Sequence, residues 1–145
     1  MTDVVKLAHK LYRRINQQHV PEEIGWVDLV HLIEDAIEDF YAYSGRAHLF
    51  SEDMFELDKS GNAVTFSEDL KSDEKKWVLL QAQINFMKWV QMSVNDQTSY
   101  TTDAMSVTHG DKPYEHIGDS IAKLESDRDR IWYAMPRYNQ LGVVG

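Results

Sequence analysis

At 145 residues the chain is the right length for one domain, and its 43% hydrophobic content, with 4 Trp, 7 Tyr and 5 Phe, excludes disorder throughout. The absence of cysteine excludes disulfides, thiolate nucleophiles and thiolate metal sites. A net charge of −9 disfavours nucleic-acid binding over the whole surface, because that affinity comes mainly from Lys and Arg neutralising phosphates.

The start, MTDVVKLAHKLYRR, lacks the apolar core and small-residue site of a leader, and no apolar run approaches the roughly 18 residues of a membrane span. The expectation is a cytosolic protein with no membrane contact. Val4, Leu7, Ala8, Leu11 and Ile15 recur at three- and four-residue steps, which predicts an amphipathic helix over 3–17 with Lys6, Lys10, Arg13 and Arg14 on the other side. Pro21 ends that segment. Trp26, Leu29, Val30, Ile33, Ala36, Ile37 and Phe40 then form one stripe of a second helix, about 22–44, with Asp28, Glu34, Asp35, Glu38 and Asp39 facing away. Gly45 is a natural stop.

Residues 46–71 change character. Phe55–Asp58, Lys59–Asn62 and Ala63–Phe66 read as two short strands about a turn, giving a protruding β-hairpin or long loop. A lone hairpin is marginally stable, so it must pack on this domain or on a neighbour. Ser72-Asp73-Glu74 opens a third helix, whose two apolar stripes (Trp77, Leu80, Ile84, Met87, Val94 and Leu79, Phe86, Val90) suggest a central position. Residues 95–112 have no helical period and read as an extended loop. A fourth helix starts near Pro113, with Tyr114, Ile117, Ile121, Leu124 and Ile131 as its apolar face. Lys123/Asp127 and Glu125/Arg128 have the spacing of ion pairs on a solvated face.

The fold class is therefore mainly α: a small bundle of about four helices in residues 1–132, an insertion at 46–71, and an extended C-terminal tail at 133–145. The tail contains no acid, and Pro136 separates most of it from the last helix. It either folds back on its own domain or docks on a partner through Trp132, Tyr133, Met135, Arg137, Tyr138 and Leu141, since aromatic anchors carry much of the energy of interfaces.

A search for chemistry returns little. None of the six histidines has a partner four residues away, and no Glu-x-x-His occurs, so no metal or cofactor site is expected. Asp58-Lys-Ser60-Gly-Asn62 begins like a calcium loop, but its glycine stands fourth instead of sixth and Asp69 holds the twelfth place. Phosphate loops and nucleophile elbows are missing, and no catalytic residue is assigned. Charge is unevenly spread. Residues 1–20 carry +3, and residues 21–72 carry thirteen acids against Arg46, Lys59 and Lys71, a net −10. Such a dipolar chain suits head-to-tail contacts in which Lys6, Lys10, Arg13 and Arg14 meet Glu34, Asp35 and Glu38 of a copy, although ordinary solubility accounts for the same pattern.

From Trp77 to the C-terminus the chain resembles the head-completion or adaptor proteins of the neck of tailed bacteriophages. The resemblance lies in the helix KKWVLLQAQINFMKWVQ, the polar stretch ending in Met105-Ser-Val-Thr-His-Gly110, and a last helix ending in Trp132-Tyr133 with an aromatic tail. It implies a virion protein forming a ring of about twelve copies by heterologous contacts. Its partners would be the portal protein and a further neck or tail protein, with DNA passing through the ring unbound. The 46–71 region has no counterpart in that pattern. The alternatives are a small helical regulatory protein acting as monomer or dimer, and an unrecognised enzyme.

Overall fold

The computed structural model describes residues 1–16, 25–101 and 117–135. In chain order these form β1 (Thr2–Asp3), α1 (Val4–Asn16), α2 (Trp26–Tyr43), β2 (Phe55–Leu57), β3 (Ala63–Phe66), α3 (Ser72–Thr101) and α4 (Ile117–Tyr133). Single 3-10 turns at Ala47–Leu49 and Glu52–Met54 fill the link from α2 to β2. The expected four helices and hairpin are all present.

Local chemistry explains the boundaries. The Asp3 carboxylate accepts from the backbone N–H of Lys6 (3.0 Å) and so caps α1. At the end of α2, Gly45 has φ +74°, and the N–H groups of Arg46 and Gly45 reach back to the carbonyls of Tyr41 (2.8 Å) and Ala42 (3.1 Å). This paired closure needs a left-handed residue, and glycine adopts that conformation without strain. Between β2 and β3 the Asp58 carboxylate accepts from the N–H groups of Ser60 and Asn62 (both 2.9 Å), while Gly61 takes φ +83°. The carboxylate that looked like the first ligand of a calcium loop is occupied in closing the turn.

The hairpin packs on its own domain. Phe55 and Phe66 are buried and meet Phe50 and Tyr41 in a nest with centroid separations of 5.0–6.4 Å, which fastens the strands to the C-terminal end of α2. The sheet is antiparallel in the order β1-β3-β2, so the chain's second and third residues add a strand to the hairpin. The buried Thr2 hydroxyl donates to the Glu68 carbonyl (2.7 Å) and accepts from the Leu70 N–H (2.9 Å).

α3 is the central helix, contacting α1, α2 and α4. Trp77, Val78, Leu79, Ala82, Ile84, Phe86 and Val90 are buried around most of its circumference, and Phe40 and Tyr43 of α2 lie against Trp77. Asp39 meets Gln81 and Asn85 while Tyr43 meets Trp77, so α2 and α3 run antiparallel. A polar clasp ties three helices together beside this core. Arg128 of α4 donates to the Gln81 side chain (2.8 Å) and to Asp129 (2.9 and 3.1 Å), and Gln81 and Asn85 donate to Asp39 (3.3 and 2.9 Å).

Three expectations need correction, and the start of the last helix near Pro113 lies outside the described residues. Trp26 is 48% exposed. α2 begins there, and its first turn overshoots the core, so the indole lies on His9 and Tyr12 of α1 (centroids 4.3 and 5.9 Å). α3 continues to Thr101 where a loop from residue 95 was expected. Residues 95–101 contain no glycine or proline, and propagating a formed helix requires little. The described part of α4 starts at Ile117, with Pro113 and Tyr114 outside the described residues. Arg128 does not pair with Glu125 on a solvated face. Its side chain is 14% exposed and lies over Tyr43 and Trp77, while Asp127 is within 3.9 Å of Arg130.

Candidate functional site

The helices place three kinds of surface feature. The first is a basic cleft of about 420 Å³ between α1 and α3, lined by Lys10, Arg13, Arg14, Ser72, Lys75, Lys76 and Leu79. α1 supplies Lys10 and Arg14 from the flank of its apolar stripe, with Arg13 beside them on the outer side. α3 supplies Ser72, Lys75, Lys76 and Leu79, whose spacing of three, four and seven puts them on one side of a helix. Burial pushes the Arg14 guanidinium below the usual arginine value, yet an arginine so shifted is still charged at neutral pH. None of the five cations makes an ion pair among the described residues.

Sequence reasoning picked out Lys6, Lys10, Arg13 and Arg14 as one set. In the structure Lys10 and Arg14 are half-buried and face the cleft, Arg13 lines its edge while exposed, and Lys6 is exposed and not part of the lining. Lys75 and Lys76 were missed. One available signal was their position in the opening turns of a helix, where the macrodipole disfavours cations.

The second feature is the acidic outer face of α2. Asp35 and Glu38 are exposed, and Glu34 is half-buried. Burial raises the carboxyls of both Glu34 and Asp35 above their ordinary values; the negative neighbours Asp39, for Asp35, and Glu52, for both, push the same way, while His31 acts against them. Like charges are thus held together at some cost. The third feature is a ledge of exposed Tyr12 and Trp26 with His9 between α1 and α2.

The proposed tail anchors are divided. Trp132 packs edge-on against Tyr43 (4.8 Å), and Met135 is fully buried, so both side chains are engaged within the domain. Tyr133 is 74% exposed. Arg137, Tyr138 and Leu141 lie outside the described residues, as do His19, His109 and His116. Among the described residues, no group of three His, Asp or Glu stands close enough to hold a metal ion, and no helix is long and apolar enough to cross a membrane. No family model, curated protein or solved structure matches the chain.

Proposed function

We propose that this chain is a structural adaptor, a subunit that joins copies of itself head-to-tail into a ring in the neck of a tailed phage, between the portal protein and the next neck or tail protein. The observation that carries the proposal is the segregation of charge on one small bundle. Exposed cations Lys6 and Arg13 stand on α1, and exposed or half-exposed acids Glu34, Asp35 and Glu38 stand on the outer face of α2. Two complementary, non-identical patches give a heterologous contact, and a repeated heterologous contact closes a ring or extends a filament. A neighbour's cations would favour the charged forms of Glu34 and Asp35 against the burial and negative neighbours that raise their carboxyls. No residue is assigned a catalytic role, and the segment beyond Met135 is assigned to the portal side.

The second reading is a monomeric or dimeric partner-binding protein. The exposed Tyr12–Trp26 ledge favours it, because such aromatics are efficient interface anchors. Native mass spectrometry of the full chain, alone and with portal protein, separates the two. A large cyclic oligomer that dissociates as salt rises, and that is lost in Lys6→Glu/Arg13→Glu while the monomer stays folded, supports the adaptor. A species no larger than a dimer under every condition, portal protein included, overturns it.

A further inference from the structure

We propose that the cleft between α1 and α3 is a binding site for a ligand carrying two or more linked phosphate groups. Five cations, Lys10, Arg13, Arg14, Lys75 and Lys76, converge on one concavity from two helices. Such a cluster repels itself, and none of the five is matched by a carboxylate among the described residues. Lys75 and Lys76 also stand where the α3 dipole opposes them. A fold that keeps an unneutralised cluster partly withdrawn from water has an anion as its natural complement.

Size and chemistry choose which anion. The cavity of about 420 Å³ equals roughly fourteen water volumes. That is room enough for a di- or triphosphate group. Two guanidinium forks match phosphate oxygens in pairs, and the three ammonium groups act as point charges around them. Buried Leu79 in the lining lowers the local dielectric and strengthens each contact. Among the described residues no aromatic ring lines the cleft, so the site as described recognises phosphates and has no platform for stacking a base. The source of the phosphates is either a free oligophosphate or the backbone of a nucleic acid, and contact with a backbone alone is independent of base sequence.

The test uses the full chain and three probes in calorimetric titrations at several salt concentrations: sodium tripolyphosphate, a short single-stranded DNA of mixed sequence, and a glutamate peptide of matched charge. The expected result is binding of a phosphate probe that weakens as salt rises. It should weaken about tenfold or more in Lys75→Gln/Lys76→Gln, and also in Arg14→Gln, with a shallower salt slope in the double variant. Lys6→Gln, outside the cleft, should leave it unchanged. Tighter binding of tripolyphosphate assigns a free oligophosphate, and tighter binding of the DNA assigns a nucleic-acid backbone. Lys75 is half-buried and Lys76 exposed on α3, so their variant stays folded if Arg14→Gln does not, and far-ultraviolet circular dichroism checks each. The proposal is overturned if neither phosphate probe binds, if binding is indifferent to these substitutions, or if the glutamate peptide binds as tightly and is lost in the same variants. The ring reading is judged separately, on native mass and on Lys6→Glu alone, because Arg13 lines the cleft while Lys6 does not.

Discussion

Met135 has no exposed surface although it follows the last helix, and its backbone N–H closes on the Trp132 carbonyl (3.0 Å). A chain ending at Tyr133 loses that side chain, and with it the bonds from the Ala134 N–H to the carbonyls of Arg130 and Ile131 (both 3.1 Å). Removing a buried methionine forfeits its transfer free energy and leaves a partly filled hole, together about 2–4 kcal/mol at a site near a helix end. For a chain of this length each kcal/mol is worth about 3–4 °C, so the melting temperature should fall by roughly 6–16 °C. Thermal melts followed by circular dichroism measure this, with urea titrations as a check on two-state behaviour. Met135→Ala in the full chain should reproduce most of the loss, and a chain ending at Met135 should escape most of it. A chain ending at Tyr133 that melts within about 2 °C of full length would refute the reasoning, since Met135 would then contribute no core. So would a loss absent from Met135→Ala.

The core makes a firmer demand at Ile84, fully buried on the central helix, where Ile84→Ala should cost about 3–4 kcal/mol in urea unfolding with an unchanged m-value. Arg128→Met leaves Gln81 and Asp129 without their donor in a clasp partly shielded from water and should cost about 1–2 kcal/mol, with Gln81→Leu in the same background recovering part of it by equilibrium unfolding. Glu34 and Asp35 have raised carboxyls in the fold, so the stability they contribute is present in acid and is lost as pH rises from the ordinary carboxylate value through the raised ones. Glu34→Gln/Asp35→Asn should therefore stabilise the isolated subunit at neutral pH by a few tenths of a kcal/mol, an advantage that vanishes near about pH 3. The same variant should assemble less well if these acids form the subunit contact.

Much of the bundle is legible because its signal is periodic. The stripes Leu29–Ile33–Ile37–Phe40 and Trp77–Leu80–Ile84–Met87 face the core as their spacing predicts. Gly45 and the Asp58–Asn62 turn are readable because a left-handed residue or an Asx turn has few chemical solutions. Trp26 misleads because periodicity gives a direction around the helix and not the depth at which the helix meets its neighbour. The extension of α3 to Thr101 is invisible because residues 95–101 carry no apolar repeat at helical spacing, and a formed helix needs none to propagate. Arg128 reads as a surface cation because its spacing to Glu125 is local, while Gln81, Tyr43 and Trp77, which hold it, are at least 47 residues away in the chain. The cleft is half-legible. Its α1 residues stand out in a basic segment, whereas Lys75 and Lys76 join them only when α3 packs beside α1.

The strand at Thr2–Asp3 is only two residues long, but it occupies one side of β3, the middle strand of the sheet. β2 and β3 can meet early because their pairing is local, whereas Thr2 finds Glu68 and Leu70 only after a loop of more than sixty residues has closed. Until then the far side of β3 offers unpaired backbone groups to any extended chain nearby. The first residues thus act as a late-arriving guard on a sticky edge. Shortening the N-terminus by three residues, or slowing its arrival, leaves that edge open to exchange of the same segment between molecules.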